Sequence, residues 1–370
     1  MPKPHKILVI RLSSLGDVLM CIPAVVAIRN TFRNAHISWL VEGSVSQLLS
    51  HQDFIDKVIE FPRHNIMHAF KKSDPVKGIR EIISFVKRLR EVDYDMIADF
   101  HGIIKSAILL KFSRGERRIG FGEIYAKEKS HLFYREKISA HDKRIHKVDR
   151  NMLIAKHLGA DGDIPQITLT VPKHCDTYID DFFSKEGLTD PVFAVNPFSS
   201  KSGFYKRWSL QRYGDIIRMI SDKIGARVLI LWGPGEKTDA ENLLKLSGDT
   251  AILSCPTNVP QLFALLKRVA MYIGGDTGVM HLAAFANCPL VAVFGPTDVK
   301  INSPYGKNCT VIRKDLLCSP CKNKDCKNKK CLDDIGIDEV FEAILKRYNK
   351  RNDVVLKMPD DNPIQHQNTQ

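Results

Sequence analysis

The sequence has no apolar run long enough to cross a bilayer. The longest run covers eleven residues, 18–28, and contains Pro23, whereas a spanning helix needs about 20 apolar residues. A secretory signal segment is missing as well, because Arg11 and Asp17 interrupt the N-terminal stretch in which its apolar part would lie. We therefore expect the protein to act in the cytoplasm.

The sequence also lacks two common nucleotide-binding signatures. The turn at residues 11–17 contains one glycine, Gly16, where a dinucleotide fingerprint needs three. A Walker A loop is excluded, because no Gly-Lys-Ser or Gly-Lys-Thr occurs. The missing fingerprint counts against a nucleotide-dependent dehydrogenase, which remains a distant alternative because such enzymes share a doubly wound fold.

The composition that is present is that of a globular protein. The 370 residues are 44% hydrophobic and 26% charged, which excludes disorder for most of the chain. The length favours two domains over one. The formal net charge is +13, and residues 63–150 hold 21 Lys and Arg against 12 Asp and Glu. That excess is either a solvated surface or an attraction to an anionic partner. Because no nucleic-acid-binding motif accompanies it, we expect no nucleic-acid partner.

Both halves of the chain alternate short apolar runs with longer amphipathic stretches. This pattern is typical of βαβ units on parallel sheets. It restarts at residues 192–196, after a stretch that contains Pro165, Pro172 and Pro191. We therefore predict an α/β protein in which two sheets face each other and ligands bind in the cleft between them.

The predicted organisation has three parts. Residues 1–175 form the first domain, and residues 176–350 form the second, which includes a cysteine-rich insert at 318–331. The last helix, at about 337–348, is a candidate to pack back on the first domain. The polar residues 351–370 show no periodicity and are expected to form a disordered tail.

The first turn that could carry catalytic residues ends at Asp17. It follows an apolar run that predicts a strand at residues 6–11, and it opens a helix. Free backbone N–H groups at a helix start favour a carboxylate. Asp17 is therefore either a capping acid or a general base that points into the cleft.

A second turn, residues 274–281, also joins a predicted strand to a helix. Gly275 and Gly278 allow close backbone approach, and the helix start offers N–H donors to a phosphate. A tight turn with a cap would need no more than this. This turn also contains three polar residues that a simple capped turn does not require, which favours a binding site: Asp276, Thr277 and His281.

Two further loops follow predicted strands of the second half. Ser199, Ser200 and Lys206 place hydroxyls and a cation where they could bind a pyrophosphate, although an exposed basic loop would have the same composition. Glu236 follows the strand at residues 227–232. It could accept hydrogen bonds from ribose hydroxyls or cap the next helix.

Four cysteines crowd into residues 318–331, with five lysines among them. Nearby lysines lower thiol pKa values, and four thiolates can hold a structural Zn or Fe. The same cysteines could instead pair as disulfides or remain free thiols. A four-thiolate site leaves no open coordination position, so we expect no catalytic metal. The candidate ligands are Cys318, Cys321, Cys326 and Cys331.

Four segments, in order, resemble glycosyltransferase family nine, the ADP-heptose:lipopolysaccharide heptosyltransferases. They are residues 10–17, 99–106, 206–208 and 275–284, and the resemblance spans about 6–348. It implies the GT-B architecture: α/β, with two facing Rossmann-like domains and an interdomain cleft. It also implies an inverting transfer that needs no cofactor, with the acceptor on the N-terminal domain and the nucleotide sugar on the C-terminal domain.

The resemblance assigns a role to each candidate residue. Asp17 matches the family's general base, and Lys206 matches the lysine that neutralises the leaving diphosphate. One departure is visible: His101 stands where the family usually has glutamine, which bears on acceptor recognition. Acceptor-binding residues are expected to be Ser14 and Lys105, and donor-binding residues Ser199, Ser200, Glu236, Asp276, Thr277, Gly278 and His281.

The resemblance also implies the partners. The expected donor is ADP-L-glycero-D-manno-heptose and the expected acceptor is the lipopolysaccharide inner core. No amphipathic anchor stands out in the sequence, so we expect peripheral contact with the anionic surface of the inner membrane. A protein or another glycan remains an alternative acceptor, because the cysteine-rich insert resembles a metal finger of second-heptose transferases and of some protein heptosyltransferases.

Overall fold

The computed structural model describes residues 4–72, 74–160, 162–321 and 323–355. Its N-terminal half contains a parallel sheet with the order β3-β2-β1-β4-β5-β6. Within the described residues the six strands are β1 (Lys6–Ile10), β2 (His36–Glu42), β3 (Lys57–Phe61), β4 (Asp93–Asp99), β5 (Arg114–Phe121) and β6 (Glu136–Ile138).

The C-terminal half contains a second parallel sheet with the order β12-β11-β10-β7-β8-β9. In this part of the described chain the strands are β7 (Val192–Asn196), β8 (Arg227–Ile230), β9 (Ala251–Leu253), β10 (Met271–Gly275), β11 (Leu290–Val293) and β12 (Cys309–Ile312). Counted from its own first strand, each sheet has the order 3-2-1-4-5-6 of a doubly wound fold. The first and fourth strands are therefore neighbours in each half.

Helices connect the strands. In the N-terminal half they are α1 (Leu15–Leu19), α2 (Ile22–Thr31), α3 (Val45–Leu49), α4 (Arg63–Lys71), α5 (Pro75–Leu89), α6 (Ile104–Phe112) and α7 (Lys147–His157). From there on they are α8 (Lys173–Lys185), α9 (Leu210–Ile224), α10 (Lys237–Leu246), α11 (Val259–Arg268), α12 (Gly278–Phe285), α13 (Val299–Asn302), α14 (Lys330–Asp333) and α15 (Ile337–Val355). Two 3-10 helices are Ser130–Phe133 and Lys201–Lys206.

The core lies on both faces of each sheet. Residues 7–10 of β1 are fully buried, and so are the strand residues of β7. Central strands that are covered on both faces need continuous apolar runs, and this explains why the two strands can be predicted from sequence. One apolar cluster includes residues of α1 and of α12, so the two halves share packing where these helices meet.

The last helix packs on the C-terminal core rather than on the N-terminal half. Its buried residues Val340, Phe341 and Ile344 belong to the cluster that contains Ile216 of α9. The expectation that this helix packs back on the first domain is therefore wrong. The helix also continues to Val355, so residues 351–355 of the predicted tail are helical, while 356–370 lie outside the described residues.

The domain boundary expected at residue 175 falls in the first turn of α8. This helix packs against α11 of the C-terminal half. The division at 175 stays a prediction. None of the helices in the described ranges is both long enough and apolar enough to cross a membrane.

Candidate active site

The candidate residues follow the two inner strands of each sheet. Asp17 lies beyond β1 and Lys105 beyond β4, while the loop that carries Lys206 follows β7 and Asp276 follows β10. In a doubly wound sheet, chain order reverses between these two strands, and the loops at their carboxyl ends leave a crevice. The topology therefore explains why motifs far apart in sequence lie at the same edge of each sheet.

The turn before α1 and the turn before α12 interlock across the two halves. A Cβ atom on Gly16 would come within 2.6 Å of Cδ2 of His281, closer than real Cβ contacts allow. A Cβ atom on Gly278 would lie 3.0 Å from Cβ of Leu15. A glycine in each turn thus makes room for a side chain of the other, and the turn with Asp17 lies directly against the turn with Asp276.

Asp17 has hydrogen-bonding partners on both carboxylate oxygens. Lys147 Nζ donates to Oδ1 at 2.7 Å, and Arg11 Nη2 lies 2.9 Å from Oδ2. Burial alone would raise the pKa of Asp17, but the charges of Arg11 and Lys147 outweigh it and hold that pKa well below the usual range. The side chain remains 23% exposed. Asp17 is therefore an ionised and partly accessible carboxylate at neutral pH.

Arg11 fixes one side of this carboxylate. It is buried, and its Nη1 donates to the backbone oxygen of Phe100 at 2.7 Å. Lys147, at the start of α7, supplies the other side and was missed by sequence reasoning. It lies 130 residues from Asp17 in the chain, and no motif distinguishes it from neighbouring basic residues.

The loops after β7 and β10 meet in a second ion pair. Lys206 Nζ donates to Asp276 Oδ2 at 2.9 Å, and both side chains are largely buried. Thr277 is the N-cap of α12, and its Oγ1 accepts from the backbone N–H of Met280 at 3.4 Å. Asp276, the partner of Lys206, directly precedes this cap, and a helix start beside such an ion pair suits a phosphate.

His281 joins the two turns. It is 4% exposed, and its Nδ1 is buried without a hydrogen-bond partner in the described structure. Burial lowers the pKa of His281 to about 4, so the ring is neutral at physiological pH. A buried nitrogen without a partner is costly, and a ligand in the crevice could satisfy it.

Arg207 organises the remaining donor-side candidates. Its Nε donates to Ser199 Oγ at 3.1 Å, and its Nη2 lies 3.8 Å from Glu236 Oε1. Glu236 Oε2 accepts from the backbone N–H of Gly233 at 2.9 Å. Burial raises the pKa of Glu236. Ser200 instead shares a 3.1 Å hydrogen bond with Ser202. Arg207 lies within the motif at residues 206–208, but the sequence predicted no role for it.

The two acceptor-side candidates are already engaged. Ser14 Oγ donates to Asp17 at 3.3 Å. Lys105 is paired with Glu42, whose other oxygen lies 3.2 Å from Arg63 Nη1. Glu42 and Arg63, the partners in this network, line a cavity of about 670 Å³ in the N-terminal half. The structure therefore places Lys105 in a charged network beside a cavity rather than as a lone cation.

His101 lies on the same side of the molecule, directly after β4. Its backbone N–H donates to Asp99 Oδ1 at 2.8 Å. Burial lowers the pKa of its ring to about 3, and Nδ1 has no partner among the described residues. His101 is thus neutral and held by its own turn.

The four clustered cysteines line a small cavity of about 160 Å³ together with Tyr205. All four are free thiols, so the disulfide alternative finds no support. Across the described ranges, no group of three or more His, Cys, Asp or Glu is arranged to hold a metal ion, so a structural Zn or Fe at these cysteines is unsupported. The segment instead packs beside the loop that carries Lys206, where Lys329 lies 5.8 Å from the ring centre of Phe204.

Comparison with known proteins gives consistent results. A family model described as glycosyltransferase family 9 (heptosyltransferase) matches residues 82–332. Lipopolysaccharide heptosyltransferase 1 of Salmonella typhimurium is 26% identical over 321 residues, covering 86% of this chain and 95% of that protein. Lipopolysaccharide heptosyltransferase 3 of Escherichia coli is 22% identical over 301 residues, covering 79% and 83%.

Solved structures show the same architecture. The Escherichia coli heptosyltransferase WaaC with ADP-2-deoxy-2-fluoro heptose is 25% identical and superposes with a TM-score of 0.69, covering 92% of this chain and 99% of that chain. A family 9 glycosyltransferase from Veillonella parvula is 19% identical, with a TM-score of 0.77 and coverage of 94% and 98%. The predicted fold class, two facing Rossmann-like domains, is confirmed.

Proposed function

The chain belongs to glycosyltransferase family 9, as its motifs predict, and we propose that it transfers heptose from ADP-L-glycero-D-manno-heptose to a hydroxyl of the lipopolysaccharide inner core. It is a glycosyltransferase, so the dehydrogenase alternative is wrong. The relatives named lipopolysaccharide heptosyltransferases, and the similar structure with an ADP-heptose analogue, support this donor and acceptor. The observation that carries the proposal is the interlocked pair of turns, which sets an ionised carboxylate against a phosphate-binding helix start.

In this mechanism Asp17 is the general base. It accepts the proton of the acceptor hydroxyl while that oxygen forms a bond to the anomeric carbon of the heptose. The bond between that carbon and the diphosphate oxygen breaks, and ADP leaves. A single displacement of this kind inverts the anomeric configuration. No step requires a metal or a redox cofactor, and the absence of a cofactor stays a prediction.

The pairing of Asp17 sets a condition on this step. A carboxylate held by two cations is a weak base, because both stabilise its ionised form. Arg11 is buried and tied to Phe100, whereas the side chain of Lys147 is 23% exposed. The acceptor hydroxyl therefore replaces Lys147 at Oδ1, which raises the basicity of Asp17 when the substrate is present.

The donor diphosphate takes the place of Asp276 as the partner of Lys206. The lysine and the N–H groups at the start of α12 then stabilise the charge that develops on the leaving group. The donor-binding role extends to Gly278, whose lack of a side chain permits close approach, and to His281, whose Nδ1 is otherwise unpaired. Nearby hydroxyl and carboxylate groups complete the site: Ser199, Ser200, Glu236 and Thr277.

The acceptor enters from the cavity beside Glu42. Lys105 and Arg63 each hold one oxygen of that carboxylate, and a phosphate on the acceptor can draw one of them away. Ser14 orients the acceptor hydroxyl toward Asp17. The basic excess of residues 63–150 fits an acceptor on the anionic cytoplasmic face of the inner membrane, to which the protein binds peripherally.

The test uses the purified full chain with ADP-heptose and lipopolysaccharide that lacks heptose. We expect ADP release and a mass increase of one heptose, unchanged in EDTA. Transfer to a peptide or to another glycan, but not to the lipopolysaccharide core, would favour the alternative acceptor. Calorimetric binding of NADH without binding of ADP would argue against the donor assignment.

A further inference from the structure

Helix α5 carries two apolar stripes, and only one of them is covered by protein. Gly78, Phe85 and Leu89 form the buried stripe. Val76, Ile79 and Ile83 recur at intervals of three and four residues, the spacing of a second helical stripe. They are 65%, 51% and 50% exposed. Because the helix is apolar on two sides, the sequence pattern alone does not reveal that one side lacks a partner.

Neighbouring helices extend this apolar surface. The ring of Phe70 in α4 packs over Gly78, where a Cβ atom would come within 2.8 Å. Phe112 at the end of α6 lines one surface groove together with Ile83. We call this surface the docking face and define it by exposed side chains of α4, α5 and α6: Met67, Phe70, Val76, Ile79, Ile83 and Phe112.

Positive charge surrounds the docking face. Residues 63–90 hold eight Lys and Arg against two acids, Asp74 and Glu81. Asp74 is used as the N-cap of α5, where it accepts from the backbone N–H of Lys77. Of the eight, only Arg63 has an ion pair with a described residue, and seven have none: Lys71, Lys72, Lys77, Arg80, Lys87, Arg88 and Arg90.

From this combination we propose that the docking face inserts into the headgroup layer of an anionic phospholipid bilayer. Folded monomers rarely expose apolar patches of this kind without a use. A protein surface with an apolar centre and a cationic rim matches a membrane, whose interior is apolar and whose headgroups are anionic. A second copy of the chain fits less well, because it would oppose one cationic surface with another.

The position of the docking face fits a lipid-anchored acceptor, and in this respect the inference rests on the proposed function. Met67 belongs both to the docking face and to the 670 Å³ cavity that contains Glu42 and Arg63. An acceptor could therefore keep its acyl chains in the bilayer while its sugars reach into the cavity.

The test measures co-sedimentation of the full chain with vesicles, without donor or acceptor. We expect binding to phosphatidylcholine vesicles that contain phosphatidylglycerol, weakened by salt, and little binding to pure phosphatidylcholine. Ile79→Ser with Ile83→Ser should lower the partition coefficient about tenfold or more. The matched control is Leu317→Ser, which replaces an exposed leucine of the C-terminal half and should bind like the wild type.

A second variant probes the charges. Lys87→Ala with Arg90→Ala should weaken binding to the anionic vesicles by about fivefold for each charge removed. It should leave residual binding to phosphatidylcholine unchanged. All of these substitutions lie on exposed positions, and circular dichroism is the check that each variant folds.

Three outcomes would overturn the proposal. The wild type could fail to bind anionic vesicles, or both docking-face variants could bind as well as the wild type. Alternatively, the wild type could be a dimer that Ile79→Ser with Ile83→Ser converts to a monomer, without a change in vesicle binding. Vesicle binding with no heptose transfer would count against the proposed function alone, whereas transfer to a delipidated acceptor without vesicle binding would count against the docking face alone.

Discussion

Asp17 and Asp276 occupy comparable places in the two halves of the molecule. Each follows an inner strand of its sheet, each lies at the start of a helix, and each accepts from a lysine that comes from another element. The two differ in Arg11: Asp17 pairs with this buried second cation, whereas Lys206 is the one cation that pairs with Asp276 among the described residues. In the proposed mechanism, the carboxylate of the N-terminal half is the reacting group, and its lysine is displaced by the acceptor. In the C-terminal half the same mechanism has Lys206 bind the diphosphate, which displaces the carboxylate of Asp276.

The strongest test of this comparison is Asp17→Asn. General bases contribute about 10²- to 10⁴-fold to rate, so kcat should fall at least about a hundredfold while calorimetric affinity for ADP-heptose stays within about twofold of wild type. The amide cannot accept a proton from the acceptor, but it leaves the donor loops untouched. Donor affinity that fell in step with kcat would contradict the division of roles.

Lys206→Ala should have the next largest effect, and its pattern should be the opposite one. We expect kcat/KM to fall about a hundredfold, together with weaker binding of ADP, because the lysine acts on the diphosphate. The matched control is Lys201→Ala, which removes a lysine from the first residue of the same 3-10 helix. Unchanged ADP affinity in Lys206→Ala would remove this lysine from the site.

Gly16→Ala tests the contact between the two halves. The new methyl group would meet the His281 ring at 2.6 Å, so one turn has to shift away from the other. We expect a loss of stability of about 1–3 kcal/mol and a fall in kcat/KM of about tenfold. Gly336→Ala is the control, because nothing lies within 4 Å of a Cβ atom there. Equal kinetics for the two variants would show that the interlock does not position Asp17.

Sequence reasoning located the two inner strands of each sheet because they are continuous apolar runs followed by distinctive turns. It also found Asp17 and Asp276, which lie inside those turns. It could not find Lys147, since its contact with Asp17 depends on how α7 packs against α2. The helix that the turn with Asp17 opens is short: α1 ends at Leu19, and a separate helix, α2, begins at Ile22 with Pro23 in its first turn.

The sequence also could not predict whether the four clustered cysteines hold a metal or which stripe of α5 lies exposed on the docking face. Spacing showed that four thiols lie close in the chain, but whether they converge on a metal depends on the loop conformation. The apolar positions of α5 were visible, yet burial decides which stripe faces the core. Both cases require tertiary packing, which local patterns do not encode.

Lys147→Met should have the smallest kinetic effect and the most informative pH dependence. The variant removes one of the two charges that lower the pKa of Asp17, so burial is opposed chiefly by Arg11 and that pKa rises. A raised pKa moves the acidic limb of kcat/KM to higher pH, because Asp17 must be ionised to act as a base. We expect a change of only a few-fold in kcat at neutral pH.

Lys147→Met should also change how the stability of the fold depends on pH. A carboxylate whose folded pKa lies below its unfolded value stabilises the fold above about pH 4, and this contribution is lost as the pH falls. Lys147→Met should therefore lower the thermal midpoint at neutral pH more than under acidic conditions. Lys143→Met, at an exposed lysine just before α7, is the control. An unshifted acidic limb, with the midpoint lowered equally at every pH, would mean that Lys147 only supports the structure and does not tune Asp17.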